Sequence, residues 1–236
     1  MSVDCEKNAV PLAGDANMDF SEKTIRTAFI KKVFLILAAQ LMVTFGIIAV
    51  FTLVDDVRLL IVNTPEIFWS ALGLSLVCIM LLCFCGSIRR RYPFNVIGLG
   101  IFTVCEGIML GVVAAAYTKD VILMSVGICA VVTFALTLFA FQTKIDFTIM
   151  GGCLFAGLNV ILLFGILTIF FYDRILNIVY SSLAAMLFSL YLVYDVQLII
   201  GEKHKYTISP EEYVLAALNI YLDVIMLFLS ILGVSS

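Results

Sequence analysis

Apolar residues fill seven stretches of the chain, at 33–54, 67–86, 96–117, 121–141, 147–171, 175–200 and 214–234. Charged residues collect in the short gaps between them. A helical run of about 20 residues crosses a hydrocarbon core of ~30 Å, because each residue rises ~1.5 Å. The pattern therefore predicts an all-α integral membrane protein of seven transmembrane helices. Residues 1–30 form an N-terminal tail and 31–236 the seven-helix domain. Gaps between spans hold about a dozen residues at most, leaving no extramembrane domain that could bind a large ligand.

Composition agrees with this pattern. At 63% hydrophobic and 13% charged residues, the chain is too apolar for a soluble domain. Its charge is sided. With the N-terminus in the cytosol, Lys7, Lys23, Arg26, Lys31, Lys32, Arg89, Arg90, Arg91, Lys144, Lys203 and Lys205 all fall on the cytosolic face. Only Arg58, Lys119 and Arg174 fall opposite. The excess of Lys and Arg inside sets this orientation. The outer gaps carry Asp55, Asp56, Glu66, Asp120 and Asp173, an acidic field that would concentrate cations at a pore mouth. The first 22 residues contain no apolar signal core, so the first span is expected to direct insertion. No basic patch with interleaved aromatics suggests nucleic acid.

Six of seven cysteines lie inside expected spans and none in an outer gap, so no disulfide framework is expected. With His204 the single histidine, a zinc centre and other bound cofactors are not expected either. Gly107 and Gly111 form a Gly-x-x-x-Gly step that suits close helix packing.

The chemistry sits in a few acids placed where lipid would be hostile. Asp195 and Asp223 lie in the sixth and seventh spans and Glu106 in the third. A carboxylate at mid-membrane costs ~2.5 to 3.5 kcal/mol on insertion scales, so each should face protein, water or an ion. In the last span Glu212, Ala216, Asn219, Asp223 and Ser230 form a polar or small stripe. Glu212 and Asp223 are eleven residues apart and only about 20° out of register. Ser209, Pro210 and Glu212 fit the N-cap, first-position and N3 sites of a capping box. Asp195 is expected about 7 Å inside its helix end and Asp223 about 15 Å, so contact between them requires a tilt or offset. Brought together, two carboxylates titrate as one unit and make a pH-sensitive gate. Tyr191, four residues before Asp195, could hydrogen-bond it. Arg89, Arg90 and Arg91 are candidate basic partners for the pair, and Asn219, Glu212 and Glu106 candidate lining of an ion path. The alternative is a purely structural role for the acids.

An intramembrane aspartyl protease needs Gly-x-Gly-Asp at its second acid, whereas Tyr221-Leu222 precede Asp223; enzymatic activity is not expected. The segments Ile25-Arg26-x-x-Phe29-Ile30-x-Lys32-Val33, Phe141-Gln142-Thr143-Lys144-x-Asp146-Phe147-Thr148, Tyr194-Asp195-x-Gln197, Ile208-Ser209-Pro210-Glu211-Glu212-Tyr213 and Tyr221-Leu222-Asp223 resemble the lifeguard family of transmembrane BAX inhibitor motif proteins, in particular its glutamate-receptor-associated branch. That resemblance implies six helices around a central seventh. It also implies a calcium leak regulated by pH through two aspartates, which match Asp195 and Asp223. A pore glutamate matches Glu211, whereas the helical stripe points to Glu212; the capping-box place of Glu212 leaves Glu211 as the expected pore residue. The expected setting is the endoplasmic reticulum or Golgi, with plasma membrane or lysosome as alternatives. The expected partners are the bilayer, Ca²⁺ as permeant ion with only transient contact at Asp195 and Asp223, protons, and apoptosis-regulating membrane proteins. The rival expectation is a non-conducting scaffold that suppresses cell death by binding those proteins.

Overall fold

A computed structural model describes residues 13–86, 91–171, 173–201 and 205–235, with side chains described from residue 23 onward except at 62. The described backbone is helical: α1 (Ala13–Leu53), α2 (Asp55–Val62), α3 (Glu66–Phe84), α4 (Phe94–Ala115), α5 (Lys119–Gln142), α6 (Gly151–Phe170), α7 (Arg174–Ile200) and α8 (Tyr213–Val234). Single 3-10 turns, Phe147–Met150 and Pro210–Glu212, lead into α6 and α8.

Seven segments have the length and composition of spans: Lys23–Leu53, Glu66–Phe84, Phe94–Ala115, Lys119–Gln142, Phe147–Phe170, Arg174–Ile200 and Pro210–Val234. All seven expected spans are present, most with ends within about three residues. The first begins ten residues before the expected Val33, because the basic stretch from Lys23 to Lys32 continues α1 without a break. Residues 1–12, Arg89, Arg90 and His204 lie outside the described residues.

The gap after the first span, expected as a loop, is the short helix α2. Asp55 and Asp56 in its first turn offset the positive end of the helix dipole. Arg58 anchors it to the end of α4, donating from Nε to Ala115 O at 3.0 Å and from Nη2 to Tyr117 O at 3.2 Å. Its Leu59 and Leu60 point outward while Ile61 is buried, a two-faced arrangement suited to a membrane interface.

Large apolar side chains also cover the outside, among them Leu35, Met42, Trp69, Phe84, Leu123 and Ile169. In water such a surface would drive aggregation, whereas in lipid it is the solvent-matched face. Burial instead concentrates on the last helix: two thirds of the eighteen residues at the apolar heart of α8 are buried, against half for α7 and 39% or less elsewhere. The main neighbours of α8 are α7, α1 and α5, with α4 also touching it, while α3 packs chiefly on α4 and α6 on α7. Aromatic edges lock this contact, Phe45 against Phe228 at 5.7 Å and Phe102 against Tyr221 at 6.2 Å between ring centroids.

The Gly107–Gly111 step does what its spacing implied. A Cβ on Gly107 would come 2.8 Å from Ile47 Cδ1, and one on Gly111 would strike the ring of Phe51. These two glycines let α1 lie directly on α4.

Candidate functional site: a buried acidic pair under a bonded cover

The structure brings Asp195 of α7 and Asp223 of α8 together. Both are buried, each 6% exposed, and their carboxyl groups lie within side-chain hydrogen-bonding reach. An ionised carboxylate only accepts hydrogen bonds, so a bond between the two requires that one hold a proton. Two acids side by side can share one proton and then titrate together. The second oxygen of Asp223, Oδ2, is buried without a hydrogen-bond partner. Such an orphaned acceptor is costly in a dry interior.

The two helices meet at a second point. A Cβ on Gly233 would meet the Ser181 side chain, which fixes one contact between α7 and α8. From there to the acidic pair is fourteen residues along α7 but ten along α8, about 21 and 15 Å of rise. Tyr191 stands near both acids and Tyr194 near Asp195. No hydrogen bond joins the Tyr191 phenol to Asp195 among the described residues, since its ring stacks between Phe188 and Tyr194 instead.

On the N-terminal side, side chains bond backbone across the end of α7. Gln197, wholly buried, accepts from Phe147 N–H at 2.7 Å through Oε1 and donates from Nε2 to Ile145 O at 2.9 Å. Asp146 accepts from Thr148 N–H at 3.0 Å and from the Thr148 hydroxyl at 2.6 Å, and its other oxygen accepts from Lys205 N–H at 3.0 Å. Arg26 of α1 donates to Ile208 O at 2.7 Å, Ile200 O at 3.1 Å and Leu198 O at 3.4 Å. Two of these acceptors belong to the last turn of α7, whose carbonyls have no partner within the helix. The guanidinium occupies the space where a side chain on Gly201 would begin. Gly201 itself has φ 72°, a conformation for which glycine is the natural residue. Loop 205–209 thus lies bonded to α1, to the α5–α6 connection and to α7, a few residues from Asp195.

A second polar cluster lies on the other side of α8. Gln40 donates to the Thr103 hydroxyl at 3.0 Å, Thr103 donates to Leu99 O at 2.8 Å, and the Thr44 and Tyr221 hydroxyls are 2.8 Å apart. Glu106 is half-buried next to Ser75 and Tyr221, and Gln40 Oε1 is buried without a partner. Tyr221, which belongs to this cluster and lies two residues before Asp223, has no exposed surface.

Other candidates are not gathered at the pair. Glu211 is exposed, and Glu212 and Asn219 are half-buried on the approach to Asp223 along α8. Ser209 Oγ does accept from Glu211 N–H, at 3.5 Å, but it caps a 3-10 turn, and the α-helix proper starts at Tyr213. Tyr213 holds that start in place: its hydroxyl accepts from Asn95 Nδ2 at 2.9 Å, and Lys32 Nζ lies 3.3 Å above its ring. Arg91 is exposed, and no ion pair joins it to either aspartate among the described residues.

No group of three His, Cys, Asp or Glu able to hold a metal is present among the described residues. Ca²⁺ takes six to eight oxygen ligands. Two carboxyl groups alone supply fewer than that.

Residues 26–234 match the family described as inhibitor of apoptosis-promoting Bax1. Protein lifeguard 3 of Mus musculus is 38% identical over 219 residues, covering 91% of this chain and 70% of the relative. The Homo sapiens protein of that name matches to the same extent. The Golgi anti-apoptotic protein of Vaccinia virus (strain Lister) is 36% identical over 208 residues, covering 88% of this chain and 84% of its own length.

Proposed function

The chain belongs to the family of inhibitors of apoptosis-promoting Bax1, and from that premise we propose that it is a pH-regulated calcium leak of Golgi or endoplasmic-reticulum membranes, restraining cell death by lowering stored calcium. The observation that carries the reading is the buried pair of Asp195 and Asp223 within spanning helices. Two carboxyls this close in a buried site can share one proton and gain or lose it as a unit. Without that proton two negative charges face each other, and at about 4 Å with an effective dielectric of ~20 they repel by roughly 4 kcal/mol. That is ample to shift the packing of α8 against α7, since a two-state switch needs only a few kcal/mol of bias.

The route is drawn by the remaining polar groups. From one side Glu211, Glu212 and Asn219 lead along α8 to the pair; beyond Tyr221 lie Thr44, Gln40, Thr103, Ser75 and Glu106. Oxygen donors of this kind suit a hard cation in transit. In the conformation seen here the pair is enclosed, and we assign it to a closed state. The Golgi setting and the action on cell death follow the names of the relatives.

The test is calcium flux into liposomes carrying the purified protein between pH 6 and 8. Wild type should show a pH-dependent flux, and the Asp195→Asn, Asp223→Asn double variant should lose that dependence while keeping its fold, because an amide pair still hydrogen-bonds but binds no proton. Folded protein giving no flux above empty liposomes would replace the leak by a scaffold that acts through apoptosis-regulating membrane proteins.

A further inference from the structure

Between α1 and α5 an apolar groove of about 450 Å³ opens sideways, walled by Phe34, Leu41 and Phe45 on one side and Phe134 and Phe141 on the other, with Val224 of α8 at its floor. Its polar side chains are turned to protein: Thr137 donates to Thr133 O at 2.7 Å, and the Cys129 thiol donates to Val224 O at 3.6 Å. What faces the groove is hydrocarbon.

Its dimensions select the occupant. Phe34 to Phe45 on α1 and Cys129 to Phe141 on α5 span eleven and twelve residues, about 16 and 18 Å of helix rise, which is close to one leaflet of a ~30 Å core. One extended acyl chain matches that length. The groove runs from mid-membrane to the N-terminal face, where the Phe34 and Phe141 rings stand 6.1 Å apart. One turn beyond Phe34 is Lys31, and just beyond Phe141 is Lys144, both exposed. Neither makes an ion pair among the described residues. A cationic mouth above a chain-sized slot is complementary to an anionic headgroup above an acyl tail.

We propose that this groove is a binding site for an anionic glycerophospholipid of the N-terminal leaflet, one acyl chain seated against Val224 and the phosphate held between Lys31 and Lys144. The site lies beyond the leak reading and does not depend on it. It touches that reading at one point, since the chain would rest on the residue next to Asp223.

The test uses tryptophan fluorescence quenched by brominated lipid. The chain has one tryptophan, Trp69, exposed on α3 away from the groove; it reports bulk surrounding lipid. A Trp69→Phe, Phe134→Trp variant moves the reporter to the groove wall at an exposed position, where the change of ring leaves the fold intact. In mixed bilayers brominated phosphatidylserine should quench the groove reporter with about a fivefold preference over brominated phosphatidylcholine. Trp69 should show no preference, and Lys31→Gln with Lys144→Gln should bring the groove value to one. Equal preference at both reporters, a groove preference that survives the lysine changes, or a groove reporter that neither lipid quenches because a protein segment covers it, would each overturn the proposal.

Discussion

Arg26 is the residue whose removal should most selectively open the cover over the acidic pair. Its guanidinium makes bonds of 2.7 and 3.1 Å to Ile208 O and Ile200 O and a longer one of 3.4 Å to Leu198 O. A charge-assisted hydrogen bond contributes ~1.5 to 3 kcal/mol, and these are only part-buried, so the two shorter bonds together are worth about 3 kcal/mol. Arg26→Gln loses the charge and most of the fork geometry. Arg26→Lys keeps the charge, but a single ammonium on a flexible stem cannot reach carbonyls in three directions, so it should recover less than half. The effect should be local, because α7 and α8 remain packed along their length. Hydrogen exchange read by mass spectrometry should show the last turn of α7 and loop 205–209 opening about a hundredfold more readily in Arg26→Gln, since 3 kcal/mol is roughly two decades, with α4 and the middle of α8 unchanged. Protection of 198–209 equal to wild type would refute the reasoning. A uniform loss over all helices would do so too, by making Arg26 a general stabiliser.

Gly201→Ala should lower thermal stability by about 1 to 3 kcal/mol, because φ 72° strains any L side chain and the added carbon meets the Arg26 guanidinium; a melting curve indistinguishable from wild type would count against the assigned geometry. The hydroxyls of Thr44 and Tyr221, 2.8 Å apart and buried, should couple in a double-mutant cycle. Thr44→Val or Tyr221→Phe alone should cost about 1 to 3 kcal/mol by leaving one hydroxyl unpaired, and the double variant should cost clearly less than their sum. Strict additivity would mean that the pair is not formed in the membrane.

The span count was legible because twenty-residue apolar runs carry a strong signal that packing cannot override. The two aspartates were legible for a related reason: an acid in such a run has nowhere to go but inward, and two of them in consecutive spans restrict each other. Gly107 and Gly111 announced a helix contact, and the contact is there, though only the structure identifies Ile47 and Phe51 of α1 as what they admit. The start of α8 was half legible. Ser209, Pro210 and Glu212 marked the right place, but a cap pattern does not distinguish a 3-10 first turn from an α-helical one. The helix α2 was missed because eight residues give too short a period to separate from a loop, and its anchor, Arg58 to Ala115 and Tyr117, is more than fifty residues distant.

The cover shows most sharply where such reasoning stops. Arg26, Asp146 and Gln197 stand in the segments that carry the family resemblance, yet nothing in the sequence assigns them a role. Their roles depend on backbone atoms of other segments, reached across separations of 172 to 182 residues for Arg26 and 50 to 59 for the other two. Side chain to backbone bonds of this kind leave no trace in the partner's residue type, because any amino acid offers the same carbonyl or N–H. Gly201 is the exception: positive φ and a guanidinium at its Cβ position both require glycine. The residues that pair chemically, Asp195 with Asp223, could therefore be found from their own identities, whereas those that cover them could be found only from the fold. The physical consequence is a division of labour. On the leak proposed above, the acids would set the proton dependence of the pair, and Arg26, Asp146 and Gln197 would set how freely the N-terminal side reaches it. Variants in the two groups should separate accordingly, the first changing how flux responds to pH and the second its size at every pH.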